Sequence, residues 1–183
     1  MKTMIEYEKF LETKAFVMEE SGFEVERINE KLFQFQKDIV RWALKKGKAC
    51  IFAGTGLGKT FMQVEWAQHV HEHTERPIMI VAPLAVASQT IEEAKKIGVS
   101  ITYAEDHGGV SNGIFITNYE RLDKFDLSIF SGIVLDESSI LKAYAGKIRD
   151  QIIEGCQTVP FRLACSATPS PNDYMELGNH CEF

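Results

Sequence analysis

Residues 49–60 read Ala49-Cys50-Ile51-Phe52-Ala53-Gly54-Thr55-Gly56-Leu57-Gly58-Lys59-Thr60. The apolar start of this stretch, residues 49–52, predicts a short buried strand, and the glycines after it predict a tight loop. A helix is predicted to follow from Lys59 to about His73. A buried strand, a glycine-rich loop and a helix in this order begin a strand–helix–strand unit, which indicates a parallel sheet.

The rest of the chain repeats this alternation. Further apolar strands are predicted at Pro77–Ala82, Ile101–Tyr103, Ile114–Thr117, Gly132–Leu135 and Phe161–Cys165. Helices are predicted at Phe33–Lys46, Val86–Ile97 and Ile148–Cys156, and residues 5–20 are a further candidate helix. Near-continuous apolar strands between helices predict a three-layer α/β domain, with a mainly parallel sheet covered by helices on both faces. Ligands are expected at the carboxyl ends of the strands.

Length and composition are those of one soluble domain with a short extension. The chain has 183 residues, 45% apolar and 25% charged, which excludes a disordered, collagenous or coiled-coil protein. Residues 1–30 hold four basic and eight acidic side chains and so carry most of the net charge of −6. We therefore divide the chain into an acidic N-terminal extension, residues 1–30, and the domain itself, residues 31–183. No signal peptide or membrane-spanning stretch is recognisable, so we expect a cytoplasmic protein with no membrane partner.

Two further features of the composition bear on partners and compartment. The four cysteines are widely spaced and form no CxxC pair, which fits a reducing cytosol. A local basic cluster fits either a solvated helix face or a nucleic-acid contact; it comprises Lys37, Arg41, Lys45, Lys46 and Lys48. Trp42 and Trp66 fall among apolar helical positions, so both are expected to pack in the core rather than to stack on bases.

The loop after the first strand is a candidate phosphate-binding loop. Residues 53–60 match the pattern G-x-x-x-x-G-K-[ST] except at the first position, where Ala53 replaces glycine. Glycines let consecutive backbone N–H groups surround a polyphosphate, and the start of the following helix adds a partial positive charge. Lys59 is predicted to contact the β- and γ-phosphates, and Thr60 to ligate Mg²⁺. The predicted nucleotide contacts in this loop are Gly54, Thr55, Gly56, Leu57, Gly58, Lys59 and Thr60.

Two adjacent carboxylates end a later apolar strand. Asp136 and Glu137 follow Gly132–Leu135, which places them at the edge of the sheet where the phosphate loop opens. Asp136 is predicted to bind Mg²⁺ with Thr60, and Glu137 to orient and polarise the attacking water as the catalytic base. A carboxylate pair that only caps a helix is the alternative, and the phosphate loop about 75 residues earlier argues against it.

The order of short motifs resembles superfamily-two helicases. After the loop come Ala82-Pro83-Leu84, Thr117-Asn118-Tyr119-Glu120-Arg121-Leu122, Asp136-Glu137-Ser138-Ser139 and Ser166-Ala167-Thr168-Pro169, which resemble motifs Ia, Ib, II and III. The amino-acid sequences of these motifs are similar to those of the Swi/Snf-type translocase branch. Asp-Glu-Ser-Ser and the segment 173–179 look like bacteriophage and prophage DEAD/DEAH-type helicases, and Phe35-Gln36 resembles the nucleotide-reading glutamine motif.

The resemblance implies roles for individual residues. Gln36 would read adenine, and Ser166 and Thr168 would couple the nucleotide state to the nucleic-acid path. Contacts to the nucleic-acid backbone are implied for Pro83, Leu84, Gln89, Thr117 and Asn118, with loop capping and packing as the alternative. ATP and Mg²⁺ are the implied ligands.

The resemblance also implies what this chain works with. Motifs IV to VI of the family do not occur in it, so it looks like the first RecA-like lobe, with a second lobe and nucleic acid, DNA in particular, as the implied partners. An RNA helicase lobe, a non-catalytic nucleotide-switched module and a small metabolite kinase stay as alternatives. In a phage-encoded protein, the expected location is the host cytoplasm.

Overall fold

The computed structural model describes residues 20–142, 147–170 and 176–183. The candidate helix over residues 5–20 lies outside these ranges, except for Glu20. No helix among the described residues is long and apolar enough to cross a membrane.

Six strands of the described chain form one sheet in which every pair is parallel. The strands are β1 (Lys48–Phe52), β2 (Ile78–Ala82), β3 (Ile101–Tyr103), β4 (Ile114–Asn118), β5 (Gly132–Asp136) and β6 (Phe161–Ser166). Their spatial order is β1-β6-β5-β2-β4-β3. The predicted strands are confirmed, and three of them extend one residue further at the carboxyl end, to Asn118, Asp136 and Ser166. These polar residues are therefore held by strand hydrogen bonds at the edge where ligands bind in parallel sheets.

The first described helix precedes β1, the last follows β6, and the others lie between strands in sequence. The helices are α1 (Gln34–Lys46), α2 (Lys59–Thr74), α3 (Leu84–Lys96), α4 (Lys147–Cys156) and α5 (Glu176–Glu182). Alternate strand residues face opposite layers: Ile78 and Ile80 join the core under α1, α2 and α3, whereas Met79 and Val81 join the core under α4. Both faces are thus covered, which confirms the predicted three-layer α/β architecture.

Short 3-10 helices cover part of the sheet face that also packs against α4. The sequence analysis did not predict them. They span Tyr119–Lys124 and Leu127–Ile129. Tyr119, Leu122 and Phe125 are buried there and recur every three residues. That spacing aligns side chains on one side of a helix with three residues per turn, which explains why an α-helical pattern is missing.

Apolar residues recur at helical spacing at Phe35, Ile39, Trp42 and Ala43, but the buried face of α1 is rotated from this stripe by about one residue. The buried positions are Gln36, Val40, Ala43 and Leu44, whereas Trp42 is 46% exposed. The prediction that Trp42 packs in the core is therefore wrong, while Trp66 is fully buried as predicted. Gln36 is a polar residue on the buried face of α1. Its side-chain amide can be buried there because both of its ends are hydrogen-bonded inside the protein.

Residues 20–33 run along α1 and α2. The amides of Gly22 and Phe23 donate to carbonyls at the end of α1, and Asn29 donates to Ile97 O (2.7 Å) and to Glu65 Oε1 (2.8 Å). Two acidic side chains of the segment, Glu20 and Glu24, pair with Lys45. The described part of the predicted acidic extension is therefore in contact with the domain; the boundary at residue 30 stays a prediction.

Candidate nucleotide-binding and hydrolysis site

The predicted site residues meet because three neighbouring strands end together. Phe52 of β1 is in register with Ser166 of β6, and Asp136 of β5 is in register with Cys165. The phosphate loop leaves the end of β1, and the Ala53 amide donates to Ser166 O (3.2 Å). The sheet thus places the loop, the two carboxylates and the Ser166 segment at one edge, as the sequence analysis predicted.

The loop has the backbone form that its glycines allow. Gly56 and Gly58 have φ values of +84° and +75°, in the left-handed region, and Gly58 immediately precedes α2. Lys59 begins α2 and reaches back across the loop, where its Nζ donates to Ala53 O (2.9 Å) and Gly54 O (3.3 Å). The ammonium group therefore lies within the loop that is predicted to hold the phosphates. Thr60 follows it in the first turn of α2.

Gln36 connects the start of α1 to this loop. Its Oε1 accepts from the Phe33 amide (2.9 Å), and its Nε2 donates to Leu57 O (3.0 Å). Beside it the rings of Phe33 and Phe35 are stacked with centroids 6.2 Å apart, and they are 71% and 44% exposed. The sequence analysis named Phe35 only as part of the Phe35-Gln36 motif and Phe33 only as the predicted start of the helix. The aromatic pair Phe33 and Phe35 on either side of Gln34, next to Gln36, is the sequence signal that the analysis did not use for this part of the site.

Replacing Gly58 by Ala is expected to damage this loop, whereas replacing Gly54 is not. A Cβ on Gly58 would lie 2.3 Å from Gln36 Nε2 and would carry a φ of +75°, while a Cβ on Gly54 meets only Leu57 Cδ1, at 3.8 Å. We expect Gly58→Ala to lower the free energy of unfolding by about 1–2 kcal/mol and Gly54→Ala by less than about 1 kcal/mol. Urea denaturation measures both. Equal losses would contradict the loop geometry.

Glu137 has a strained backbone and a fixed side chain. Its φ is +54°, which is unusual for a residue other than glycine and typical of functional sites. The Ser166 hydroxyl donates to Glu137 Oε1 (2.9 Å), and the Thr168 amide donates to Ser166 Oγ (3.0 Å). A continuous hydrogen-bonded path therefore joins the predicted coupling segment to the predicted catalytic carboxylate.

Asp136 is held by Tyr119, a residue to which the sequence analysis gave no role. The Tyr119 hydroxyl donates to Asp136 O (2.7 Å), and burial raises the pKa of that hydroxyl well above its ordinary value. Burial also raises the pKa of the Asp136 carboxyl; the Gln63 amide beside it opposes this shift, and the Glu137 carboxylate adds to it. The folded protein therefore favours the protonated form of Asp136 relative to the unfolded chain.

Asp136→Asn is therefore expected to increase the stability of the fold at pH 7. A raised pKa means that stability is present when the group is protonated and is lost as pH rises through the pKa of the folded state. The gain from Asn should shrink as pH falls into the carboxyl range. Asp126→Asn is the control, and its expected effect on stability has the opposite sign. Hydrogen bonds from Ser128 lower the pKa of the Asp126 carboxyl, so this substitution should decrease the stability of the fold at pH 7. Urea denaturation at pH 7 and pH 4 tests this: a loss of stability in Asp136→Asn at pH 7 would refute it.

The five residues predicted to contact nucleic acid divide into two groups. Leu84 is 63% exposed, Gln89 is exposed with its amide donating to Glu93, and Pro83 is half-buried. Thr117 and Asn118 are buried in β4, and Asn118 Nδ2 donates to Tyr103 Oη (3.1 Å). Their side chains offer no surface to a nucleic acid in this structure, which favours the packing alternative for these two. Pro83 and Leu84 border a cavity of about 320 Å³ that also contacts Glu137.

Residues 36–159 match the AAA domain family. The chain belongs to that family. This AAA domain is 29% identical over 163 residues to the DNA annealing helicase and endonuclease ZRANB3 of Bos taurus and of Mus musculus; the match covers 79% of this chain and 15% of each relative. The chain thus spans about one seventh of the length of these curated relatives.

The AAA domain also shares its fold with solved helicase-type structures. It is similar to the Sulfolobus solfataricus SWI2/SNF2 ATPase core in complex with dsDNA, with a TM-score of 0.70 and 23% identity over 90% of this chain and 37% of that one. It is similar to the UvsW helicase from bacteriophage T4, with a TM-score of 0.66 and 17% identity over 97% of this chain and 65% of that one. These likenesses show a RecA-like helicase-core fold.

Proposed function

We propose that this AAA domain is the ATP-binding lobe of a nucleic-acid-dependent ATPase, a DNA helicase or translocase. The observation that carries the proposal is the contact between Ser166 and Glu137. It joins the candidate catalytic carboxylate to the segment that resembles motif III, at the same edge as the phosphate loop. The left-handed backbone of Glu137, a conformation often found at functional sites, supports the same assignment.

The residues of the site have distinct roles in hydrolysis. Lys59 and the backbone amides of the loop bind the phosphates, and Glu137, held by Ser166, orients the attacking water and accepts its proton. The Thr60 hydroxyl and the Asp136 carboxylate supply the hard oxygen ligands that Mg²⁺ prefers. When bound, Mg²⁺ would offset the negative charge of the phosphates. The adenine contact of Gln36 stays part of the proposal; in the structure this side chain is 4% exposed and its amide bonds fix the loop beside Phe33 and Phe35, whose exposed rings offer a surface on which the base stacks.

Coupling to nucleic acid runs through Ser166 and Thr168. A change at the γ-phosphate moves Glu137, and the hydrogen bonds from Ser166 and Thr168 transmit that movement. A second RecA-like lobe supplies the arginine finger that this part of the site needs. Support for such a partner is the likeness to helicase cores that are longer than this chain.

DNA is the proposed track. The similar SWI2/SNF2 core was crystallised with dsDNA, and the relatives in cattle and mouse are named DNA annealing helicases. Leu84 and Gln89, which are exposed, and the half-buried Pro83 form the candidate contact surface. The basic cluster contributes little, since Lys45 and Lys46 are paired with Glu20 and Glu24. A phage or prophage origin is part of the same proposal, supported by Asp-Glu-Ser-Ser and by the likeness to UvsW.

The experiment that tests this proposal compares ATP hydrolysis by the two-lobe protein with single-stranded DNA, duplex DNA, RNA or no nucleic acid. We expect at least one form of DNA to stimulate turnover about tenfold or more, and RNA to stimulate it little. Stimulation by RNA alone would assign an RNA helicase lobe. Nucleotide-dependent DNA binding with no turnover would assign a non-catalytic switch, and either result would overturn the proposal.

A further inference from the structure

A second cavity lies beside the edge strand β1, away from the phosphate loop. Its volume is about 550 Å³, within the range of small-molecule sites, and none of the residues predicted to bind nucleotide lines it. Trp42, Ala49, Cys50 and Phe183 supply apolar surface to its wall. This arrangement also gives the exposed ring of Trp42 a place beside a cavity rather than in open solvent.

Arg162 is the unusual feature of this cavity. Its side chain is on β6 and lines the cavity, yet the residue is only 6% exposed. Its Nε and Nη1 are buried and have no hydrogen-bond partner among the residues that the structure describes. The guanidinium lies over the Phe183 ring, with Cζ 5.9 Å from the centroid. A buried cation with free donors is costly unless an anion completes it.

The charges around the cavity favour an anion. Lys48 is in register with Arg162 across β1 and β6, and burial together with the Arg162 charge lowers the pKa of Lys48. Lys46 also lines the cavity, but its charge is offset by the ion pair with Glu20. The one acidic side chain in the lining, Glu182, forms an ion pair with Arg149.

We propose that this cavity binds a small organic anion, a carboxylate or sulfonate carried by an aromatic or aliphatic body. The anion pairs with the positive charge of the Arg162 guanidinium where this side chain lines the cavity, and the body fills the space beside Trp42 and Phe183. Charge-assisted hydrogen bonds in a partly desolvated site are among the stronger polar contacts, so the anion gives the ligand its affinity. This site is independent of nucleotide binding.

A matched pair of probes tests the proposal with the 183-residue chain. 2-Naphthoate and 2-naphthamide have the same rings and nearly the same shape, but only the first is an anion. Titration calorimetry should give an affinity for naphthoate at least about tenfold higher than for the amide. Binding should also change the fluorescence of Trp42, and Trp42→Phe should remove that signal, because the remaining Trp66 is fully buried elsewhere.

Three variants test whether naphthoate binds in the cavity lined by Arg162. Arg162→Met should make the two probes bind alike, and Arg41→Met, an equal loss of charge on α1 outside this cavity, should leave the preference for naphthoate unchanged. Lys59→Ala should also bind naphthoate normally, which separates this site from the nucleotide site. Equal affinities for the two probes in the parent chain would overturn the proposal even if Arg162→Met fails to fold. Loss of naphthoate binding in Lys59→Ala or on addition of ATP, or no binding at all, would overturn it as well.

Discussion

Glu137→Gln is expected to lower ATP turnover by the two-lobe protein about 10²–10⁴-fold, the range that general base catalysis contributes. The amide keeps the shape of the side chain and can still accept the hydrogen bond from Ser166. It cannot take a proton from the attacking water. ATP–Mg²⁺ affinity should therefore stay within about threefold of the parent, because the proposed phosphate contacts come from the loop and from Lys59.

Glu120→Gln is the matched control for this result. Glu120 lines the same cavity of about 320 Å³ as Glu137, but it is exposed and has no hydrogen bond from Ser166. The measurement is steady-state phosphate release together with a binding titration for each variant. If Glu137→Gln turns over ATP at the rate of the parent, or if Glu120→Gln is the more damaging change, then Glu137 is not the catalytic base.

Lys59→Ala should weaken ATP binding by the 183-residue chain about 10- to 100-fold. The Lys59 ammonium lies inside the phosphate loop, where it donates to Ala53 O and Gly54 O. Its removal deletes the positive side chain that the loop offers to the β- and γ-phosphates. Lys95→Ala is a suitable control, since Lys95 pairs with Glu92 on exposed surface. Equal ATP affinities of Lys59→Ala and the parent chain would refute the assignment of the phosphate loop.

Most of the fold could be predicted because local pattern and tertiary structure agree. The strands are short apolar runs, three of which end in the polar residues Asn118, Asp136 and Ser166, and a sheet buried on both faces requires such runs. The rotation of α1 could not be predicted from apolar spacing, because its buried face includes the polar Gln36 while Trp42 lies outside. The observed face carries its own apolar set, Val40, Ala43 and Leu44, and the bonds from Gln36 to the Phe33 amide and the Leu57 carbonyl let the polar residue share that face.

The candidate site could be predicted where a strand end fixes position. The carboxyl ends of β1, β5 and β6 brought the loop, Asp136 and Ser166 together as expected. Contacts between distant segments could not be predicted: Tyr119 holding Asp136 and the hydroxyl bond from Ser166 to Glu137 depend on side-chain geometry. The burial of Asn118 follows from β4 extending one residue further than its apolar run.

The central claim is that this AAA domain binds ATP and depends on a second lobe to hydrolyse it. The most direct test is steady-state phosphate release from the 183-residue chain alone and from the two-lobe protein, each with and without DNA. We expect the chain alone to bind ATP but to hydrolyse it very slowly whether or not DNA is present. The second lobe should raise turnover by about 10³–10⁵, the contribution of an arginine finger in other NTPases. Comparable rates from the chain alone and from the two-lobe protein would contradict the account.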